Sequence, residues 1–290
     1  MTGRTPTAAD AEAIAALLAE CAAAYGYTAL DADEIRSWFG NPDLAAEDFR
    51  LFEDGGRPVA YADLTVRPGS DAAWVDARVP PGGALAPVLE WAESRACEKG
   101  ARRLRAGVPA AADAGPAQER GYAPLRHFFE MAIELDGDPP APAWPDGIEV
   151  RTVRPNEEER VHAANQEAFA DHWEWEPRTF ESWQASWDAR GWDPSLWFLA
   201  VAGDEIAGVC LCTTRGEAGW VDDLSVRRPW RRLGLGAALL RHAFREFRAR
   251  GAGRVGLDVD GENLTGAVRL YERVGMHVAY RQDLWQLDLR

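Results

Sequence analysis

Residues 220–247 read WVDDLSVRRPWRRLGLGAALLRHAFREF. The stretch has three parts. Val221 to Val226 is a short apolar run, Arg227 to Gly236 is a basic, glycine-containing loop, and an amphipathic helix opens near Leu235. Leu235, Leu239, Leu240, Ala243, Phe244 and Phe247 fall on one helical face, and Arg241, Arg245, Glu246 and Arg248 on the other. A strand that feeds a glycine loop at the mouth of a helix is an anion-binding device. The first amides of the helix lack intrahelical partners, and the helix dipole adds positive charge there. Gly234 and Gly236 let a ligand approach the backbone, and Arg227, Arg228, Arg231 and Arg232 are expected to add charge.

Two nucleotide loops are excluded by the letters. Ala237-Ala238 stand where a phosphate-binding P-loop needs Lys-Ser/Thr, and Leu239 stands where the dinucleotide fingerprint needs its third glycine. What remains, Arg231-x-x-Gly234-x-Gly236, resembles the R/Q-x-x-G-x-G/A signature of the GNAT superfamily of acyl-CoA-dependent N-acyltransferases. A second block, NLTGAVRLYERVGM over 263–276, resembles the downstream N-x-x-A-x-x-L-Y-x-x-x-G-F element of that family, with Ala267 shifted by one and Met276 replacing Phe. The resemblance covers at least Leu196 to Leu289, and order and spacing are similar to the actinobacterial tandem members, mycothiol synthase among them.

The chain of 290 residues has room for two domains of about 140. ESRACEKGARRLRAGV (93–108) has the shape of REFRARGAGRVGLDV (245–259), and QERGYAPLRHFFEMAIEL (118–135) that of YERVGMHVAYRQDLWQLDL (271–289). The expected architecture is therefore α+β: two tandem GNAT-like domains, each a mixed, mostly antiparallel twisted sheet flanked by helices. The first domain spans 1–137 and is degenerate. Its loop, Val79-Pro80-Pro81-Gly82-Gly83, is short and without arginine, its prolines remove amide donors, and Gln118 stands where the family has tyrosine. Prolines at 139, 140, 142 and 145 make 138–147 a stiff linker, which Trp144 is expected to pin to one domain, and 148–290 is the catalytic domain.

A formal net charge of −15 argues against nucleic-acid and anionic-membrane partners. No stretch approaches 18 apolar residues, no leader pattern opens the chain, and Cys21, Cys97, Cys210 and Cys212 lack zinc spacing. A cytoplasmic, reduced protein, monomer or homodimer, without metal, is expected.

The resemblance implies acetyl-CoA as co-substrate. Its pyrophosphate would lie on Arg231, Arg232, Leu233, Gly234, Leu235, Gly236 and Ala237, and its pantetheine arm along the backbone of Leu224, Ser225 and Val226, with Asn263 and Tyr271 nearby. Tyr271 occupies the family position of the acid that meets the leaving thiolate; a core tyrosine is the plain alternative. Asp222 and Asp223 are candidate bases, and strand alternation sends them to opposite faces, so that at most one meets the site. Asn263 is expected to cap the last helix.

Six tryptophans lie between Trp173 and Trp197. By the same resemblance, His172, Trp173, Glu174 and Trp175 would line the pocket of a small-molecule amine. Core packing serves Trp183 and Trp187 equally well. The activity this implies is transfer of an acetyl group from acetyl-CoA to a primary amine by direct attack. The alternatives are a non-catalytic acyl-CoA-binding or interaction protein and, more narrowly, a mycothiol-synthase-type or protein N-terminal acetyltransferase.

Overall fold

The computed structural model describes residues 1–39, 45–67, 69–188, 191–263 and 265–289. In chain order the elements are β1 (Thr2–Arg4), α1 (Ala11–Tyr25), α2 (Ala32–Phe39), β2 (Phe49–Asp54), β3 (Arg57–Val66), β4 (Ala72–Arg78), α3 (Ala86–Glu98), β5 (Arg103–Pro109), α4 (Gly115–Glu119) and β6 (Ala123–Glu134). They continue as β7 (Glu149–Thr152), α5 (Glu158–Phe169), α6 (Phe180–Asp188), β8 (Trp197–Ala202), β9 (Glu205–Arg215), β10 (Ala218–Val226), α7 (Leu235–Ala249), β11 (Arg254–Asp260), α8 (Ala267–Arg273) and β12 (His277–Asp288).

Two compact units form. The first takes Met1–Phe129, Asp260–Glu262 and Ala279–Arg290; the second takes Glu130–Val259 and Asn263–Val278. Their limits do not follow the proline-rich stretch. The end of β6 and all of 138–147 pack with the second unit, and most of β12 packs with the first. Trp144 rests edge-on against His242 of α7 at 6.0 Å, and Arg245 donates to the Pro139 carbonyl at 2.9 Å. The linker is thus pinned to the second unit.

In the first unit the strands run β1-β2-β3-β4-β5-β12. All neighbours are antiparallel except β4 and β5, a parallel pair joined by α3. Helix α1 buries Ile14, Leu17, Leu18 and Cys21 at helical spacing, and Gly26 ends it in the left-handed conformation, φ 91°, donating to Ala22. Helix α4 keeps only five residues, as Gly115 and Pro116 at its start lead one to expect.

The second unit repeats the plan as β11-β10-β9-β8-β7, with β10 and β11 parallel and α7 between them. Helix α7 buries the expected apolar face against this sheet. A Cβ on Gly219 of β10 would lie 2.5 Å from the Phe247 ring, and one on Gly256 of β11 would lie 2.4 Å from Trp220. Both positions admit glycine alone. Trp183, Trp187 and Trp197 are buried with Leu199 and Val209 in one cluster, which settles the tryptophan-rich segment largely as core. The rings of Trp187 and Trp197 meet edge-on at 4.9 Å, and Trp192 packs on Trp197 at 4.4 Å.

Candidate functional site

Strand β10 leaves regular geometry at one place. Its ladder with β9 pairs Val221 with Cys212 and then Asp223 with Leu211, so Asp222 is the extra residue of a bulge. The bulge resets the alternation of side chains. Asp222 and Asp223, expected on opposite faces, instead line the same cleft of about 250 Å³. Trp183, Trp187, Trp220, Arg215 and Asp258 line it with them. On the other side of β10, pairing with β11 is recorded at Gly219↔Val255 and Trp220↔Gly256, below the bulge. Among the described residues β10 then runs on to Val226 without a ladder partner in β11. The two strands part beside the carboxylates.

Each carboxylate is held in place. Thr213 Oγ1 donates to Asp222 Oδ2 at 2.7 Å, and Asn165 Nδ2 donates to Asp223 Oδ2 at 2.7 Å. Asn165 is buried on α5, and its own Oδ1 is buried without a partner. With the amide nitrogen turned to the carboxylate, the carbonyl must point the other way; the charge on Asp223 fixes the orientation. Arg215 lies 3.5 Å from the centroid of the Trp220 ring and 3.5 Å from Asp258 Oδ2, giving the cleft a guanidinium wall among its carboxylates.

Tyr271 is buried on α8. Burial pushes its phenol well above the ordinary value, and the neighbouring Cys210 and Asp223 add to the shift. It therefore keeps its proton throughout the neutral range. Cys210 and Cys212, on the same face of β9, are buried with sulfurs 3.6 Å apart. Burial also raises the Cys212 thiol, with Cys210, Asp222 and Asp223 contributing. Asn263 does not cap α8. Its Oδ1 accepts from the Thr265 amide at 2.7 Å, and Gly266, at φ 76°, stands at the N-cap. The local side-chain turn consumes the oxygen that a cap needs, and the left-handed glycine delays the helix. Gly275, at φ 99°, follows the helix end in the left-handed conformation that favours glycine.

The loop between β10 and α7 has the expected shape with a different distribution of charge. Arg227 donates to Glu167 at 2.7 Å and to the Ile206 carbonyl at 3.1 Å. Arg228 pairs with Asp171. Arg231 turns inward, reaching Asp171 at 2.8 Å, the Val226 carbonyl at 3.0 Å and the Ala168 carbonyl at 2.9 Å. Three of the four arginines are thus spent on neighbouring carboxylates and carbonyls, and Arg231 braces the loop from behind. Arg232 and Leu233 are exposed, and Arg232 has φ 65°. Gly234, at φ 85°, is the N-cap of α7 and offers no side chain to its amides. A Cβ there would meet nothing within 4 Å, so the space before the helix mouth is bare. Gly236 lies under Leu270 of α8, 3.1 Å from where its Cβ would be, and Leu235 is buried behind it, with Ala237 half-buried. Leu224 and Val226 are half-buried and Ser225 is buried along the unladdered edge of β10.

The segment expected to contact an acceptor lies elsewhere. His172 packs at a tilt against Phe169, ring centroids 4.4 Å apart, Trp173 and Trp175 are half-buried, and Glu174 is exposed at φ 48°. None of the four lines the cleft. Trp183 and Trp187, which the sequence assigns equally well to core, serve as both core and wall. Asn165, Thr213 and Arg215 are the contributors that the sequence did not single out. Among the described residues no cluster of His, Cys, Asp and Glu is arranged to hold a metal, and no helix is long and apolar enough to cross a membrane.

Comparisons with known proteins agree with this geometry. Residues 159–276 match the Acetyltransferase (GNAT) family. The chain is 31% identical to a mycothiol acetyltransferase of Thermobispora bispora, over 93% of each chain. It is 32% identical to one of Streptomyces scabiei, over 96% of this chain and 91% of the relative. Among solved structures, a GCN5-related N-acetyltransferase from Sphaerobacter thermophilus superposes with a TM-score of 0.83 at 36% identity, covering 100% of this chain and 96% of that one. A tandem GNAT protein from the clavulanic acid biosynthesis pathway shares the fold at a TM-score of 0.75 and 20% identity, over 100% of this chain and 98% of its own. Bulged strand, parted neighbour, bare glycine loop and relatives that match over almost their whole length lead to one assignment: this chain belongs to the GNAT acetyltransferase family and is an N-acetyltransferase.

Proposed function

We propose that the acetyl group comes from acetyl-CoA and passes to a primary amine of a small molecule by direct attack in the second unit. The observation that carries this reading is the pair Asp222 and Asp223 in one cleft, at the point where β10 and β11 part. The residues fit the co-substrate. The bare space at Gly234 and the uncapped N-terminus of α7 suit a pyrophosphate, which the amides of Gly234, Leu235, Gly236 and Ala237 would hold with Arg232 and Leu233 beside them. Arg231 shapes this loop, the edge of Leu224, Ser225 and Val226 offers backbone groups to an extended arm, and Asn263 and Tyr271 flank it. When bound, acetyl-CoA supplies an activated thioester and a thiol leaving group.

The chain's own residues do the rest. A free alkylamine arrives protonated and must lose a proton before nitrogen can attack, a step that a carboxylate in the cleft would assist. Asp223 is the better placed to take the proton, with Asn165 orienting its carboxylate through Oδ2. Asp222, tied to Thr213, keeps a second negative charge in the cleft to attract the ammonium. The bulge takes the Asp222 backbone out of the regular ladder with β9, and a backbone amide of β10 would polarise the carbonyl oxygen there. Tyr271 donates a hydrogen bond from Oη to the departing sulfur, and its raised pKa makes it a donor that retains its proton.

The first unit does not transfer acetyl groups in this reading. Its loop at 79–83 carries Pro80 and Pro81, Val79 packs 2.7 Å from where a Gly83 Cβ would stand, and Leu85 occupies the N-cap of α3. A second reading of the acceptor, favoured by the relatives named mycothiol acetyltransferase, gives this chain the acceptor class of those enzymes.

Calorimetric titration of the whole chain with acetyl-CoA tests the donor. The expected result is one site per chain, lost in Gly234→Val. Two sites would reassign the first unit, and no binding would leave an interaction protein. Thiol release across a panel of amines, the acceptor of the mycothiol enzymes included, then separates the two acceptor readings.

A further inference from the structure

The first unit carries a polar group that acetyl transfer does not use. Tyr61 and Asp63 stand two apart on β3, and Asp76 and Arg78 two apart on β4. The register sets Tyr61 opposite Arg78 and Asp63 opposite Asp76, so all four side chains share one face of the sheet. Arg78 gives Nε and Nη2 to the same oxygen, Asp76 Oδ2, at 3.1 and 2.5 Å, and its guanidinium lies 4.6 Å from the Tyr27 ring centroid. Asp76 is thereby answered.

Asp63 is not. Among the described residues nothing donates a hydrogen bond to it, and its side chain is only half-buried. Beneath it the Tyr61 hydroxyl is wholly buried and has no partner. Two hydrogen-bonding groups two residues apart, both left open, are costly in a folded interior unless something occupies them. Asp63, Asp76 and Arg78 are half-buried, and Tyr61 is buried on the same face of the sheet. Arg78 answers Asp76 alone, so Asp63 lacks a counter-charge of its own and ionises readily only beside a cation. No group of three metal-ligating side chains stands here among the described residues. A monovalent cation that brings its own N–H donors satisfies both the charge and the open acceptors.

We propose that the first unit holds a binding site for a primary ammonium group, with Asp63 as its counter-charge and the Tyr61 hydroxyl as a further acceptor. All four residues belong to the first unit, and none of them lines the cleft of the second. Burial and the facing Asp76 charge push the Asp63 carboxyl up to about 8, against the pull of Arg78. Binding an ammonium near neutral pH therefore expels the carboxyl proton, and affinity rises with pH until Asp63 is ionised without help. Cys21, Tyr27 and Tyr280 are the other titratable groups that face Arg78.

The test uses the full chain labelled with ¹³Cζ-tyrosine and titrated with butylammonium chloride, without acetyl-CoA. Tyr61→Phe assigns the Tyr61 signal. The expected result is a saturable displacement of that signal, with affinity falling about tenfold per pH unit below 8 and weakened at least tenfold by Asp63→Asn. N-butylacetamide, of similar shape and no charge, leaves the signal in place. A Tyr61 signal that does not move, or that moves equally with N-butylacetamide, overturns the proposal. If Asp63→Asn does not fold, the wild-type pH series decides, and an affinity unchanged between pH 6 and pH 8 overturns the proposal as well.

Discussion

The two units are built on one plan, and their central strands show where they diverged. Both place a parallel strand pair around an amphipathic helix, β4 and β5 around α3 and β10 and β11 around α7. In the first unit the parallel ladder runs unbroken from Ala72↔Arg103 to Asp76↔Gly107. In the second it stops at Trp220↔Gly256, and the bulge at Asp222 follows directly on the other side of the strand. The loops differ in the same sense. One ends in prolines and a packed Val79, and the other in a bare glycine at the helix mouth. A closed ladder keeps a strand's backbone for the sheet, whereas an opened one releases it for a ligand. Helix, sheet and core are common to both units, so the fold alone does not decide which one is an enzyme.

The largest break in that comparison is expected from Asp223. Replacing it by Asn should lower turnover by about 10²–10⁴-fold in a thiol-release assay while acetyl-CoA still binds. A variant within threefold of wild type would move the base elsewhere. Next comes the loop pair. Gly234→Val should weaken acetyl-CoA at least tenfold by calorimetry, because the side chain enters the bare space and strains a left-handed residue. Gly82→Val, also left-handed and facing open space, should strain the first unit comparably and leave affinity unchanged. Equal losses from both would mean that both loops bind.

Tyr271→Phe is expected to cut kcat by about 10–100-fold with little change in acetyl-CoA affinity. In the wild-type enzyme the phenol remains protonated beyond the usual pKa of about 10, so no fall in rate below that pH should be removed by the substitution. Asn165→Leu should lower kcat/KM several-fold, since Asp223 loses the donor that orients it. The smallest effect concerns stability. Asp63, with a folded pKa raised to about 8, binds more protons folded than unfolded, so the first unit loses stability as pH rises from about 4 toward 8. Asp63→Asn should flatten that slope in thermal melts; a slope unchanged by the substitution would place the titration elsewhere.

Much of this was legible in the letters, for reasons that differ by element. Helix α7 was readable because its apolar face, its glycines and its preceding strand are all local signals. Helix α5 is locally patterned too, with Val161, Ala164, Asn165 and Ala168 recurring at helical spacing on its buried face. The repeat of strand, helix and strand was visible as a repeat. The carboxylate pair was not readable as a pair. Strand alternation gives opposite faces, and a bulge is set by the ladder with β9 rather than by Asp-Asp itself. The bond from Asn165 to Asp223 joins residues 58 apart, which no local pattern announces. Arg231 appeared as a free charge because the sequence does not show Asp171 waiting beside it. Asn263 appeared as a cap because the turn that claims its oxygen depends on the backbone at Thr265.

Strand β12 carries a consequence for how the protein is made. Gln282 to Asp288 pair with Pro109 to Arg103 of β5, so the first unit is completed only by a strand that follows the second unit in the chain. Until those residues leave the ribosome, the nascent first unit presents β5 as an open sheet edge, with the hazard of pairing with another chain. Removing residues 279–290 would damage the unit built mainly from residues 1–129. A fragment cut at the proline-rich stretch would likewise be an unfinished sheet rather than a domain.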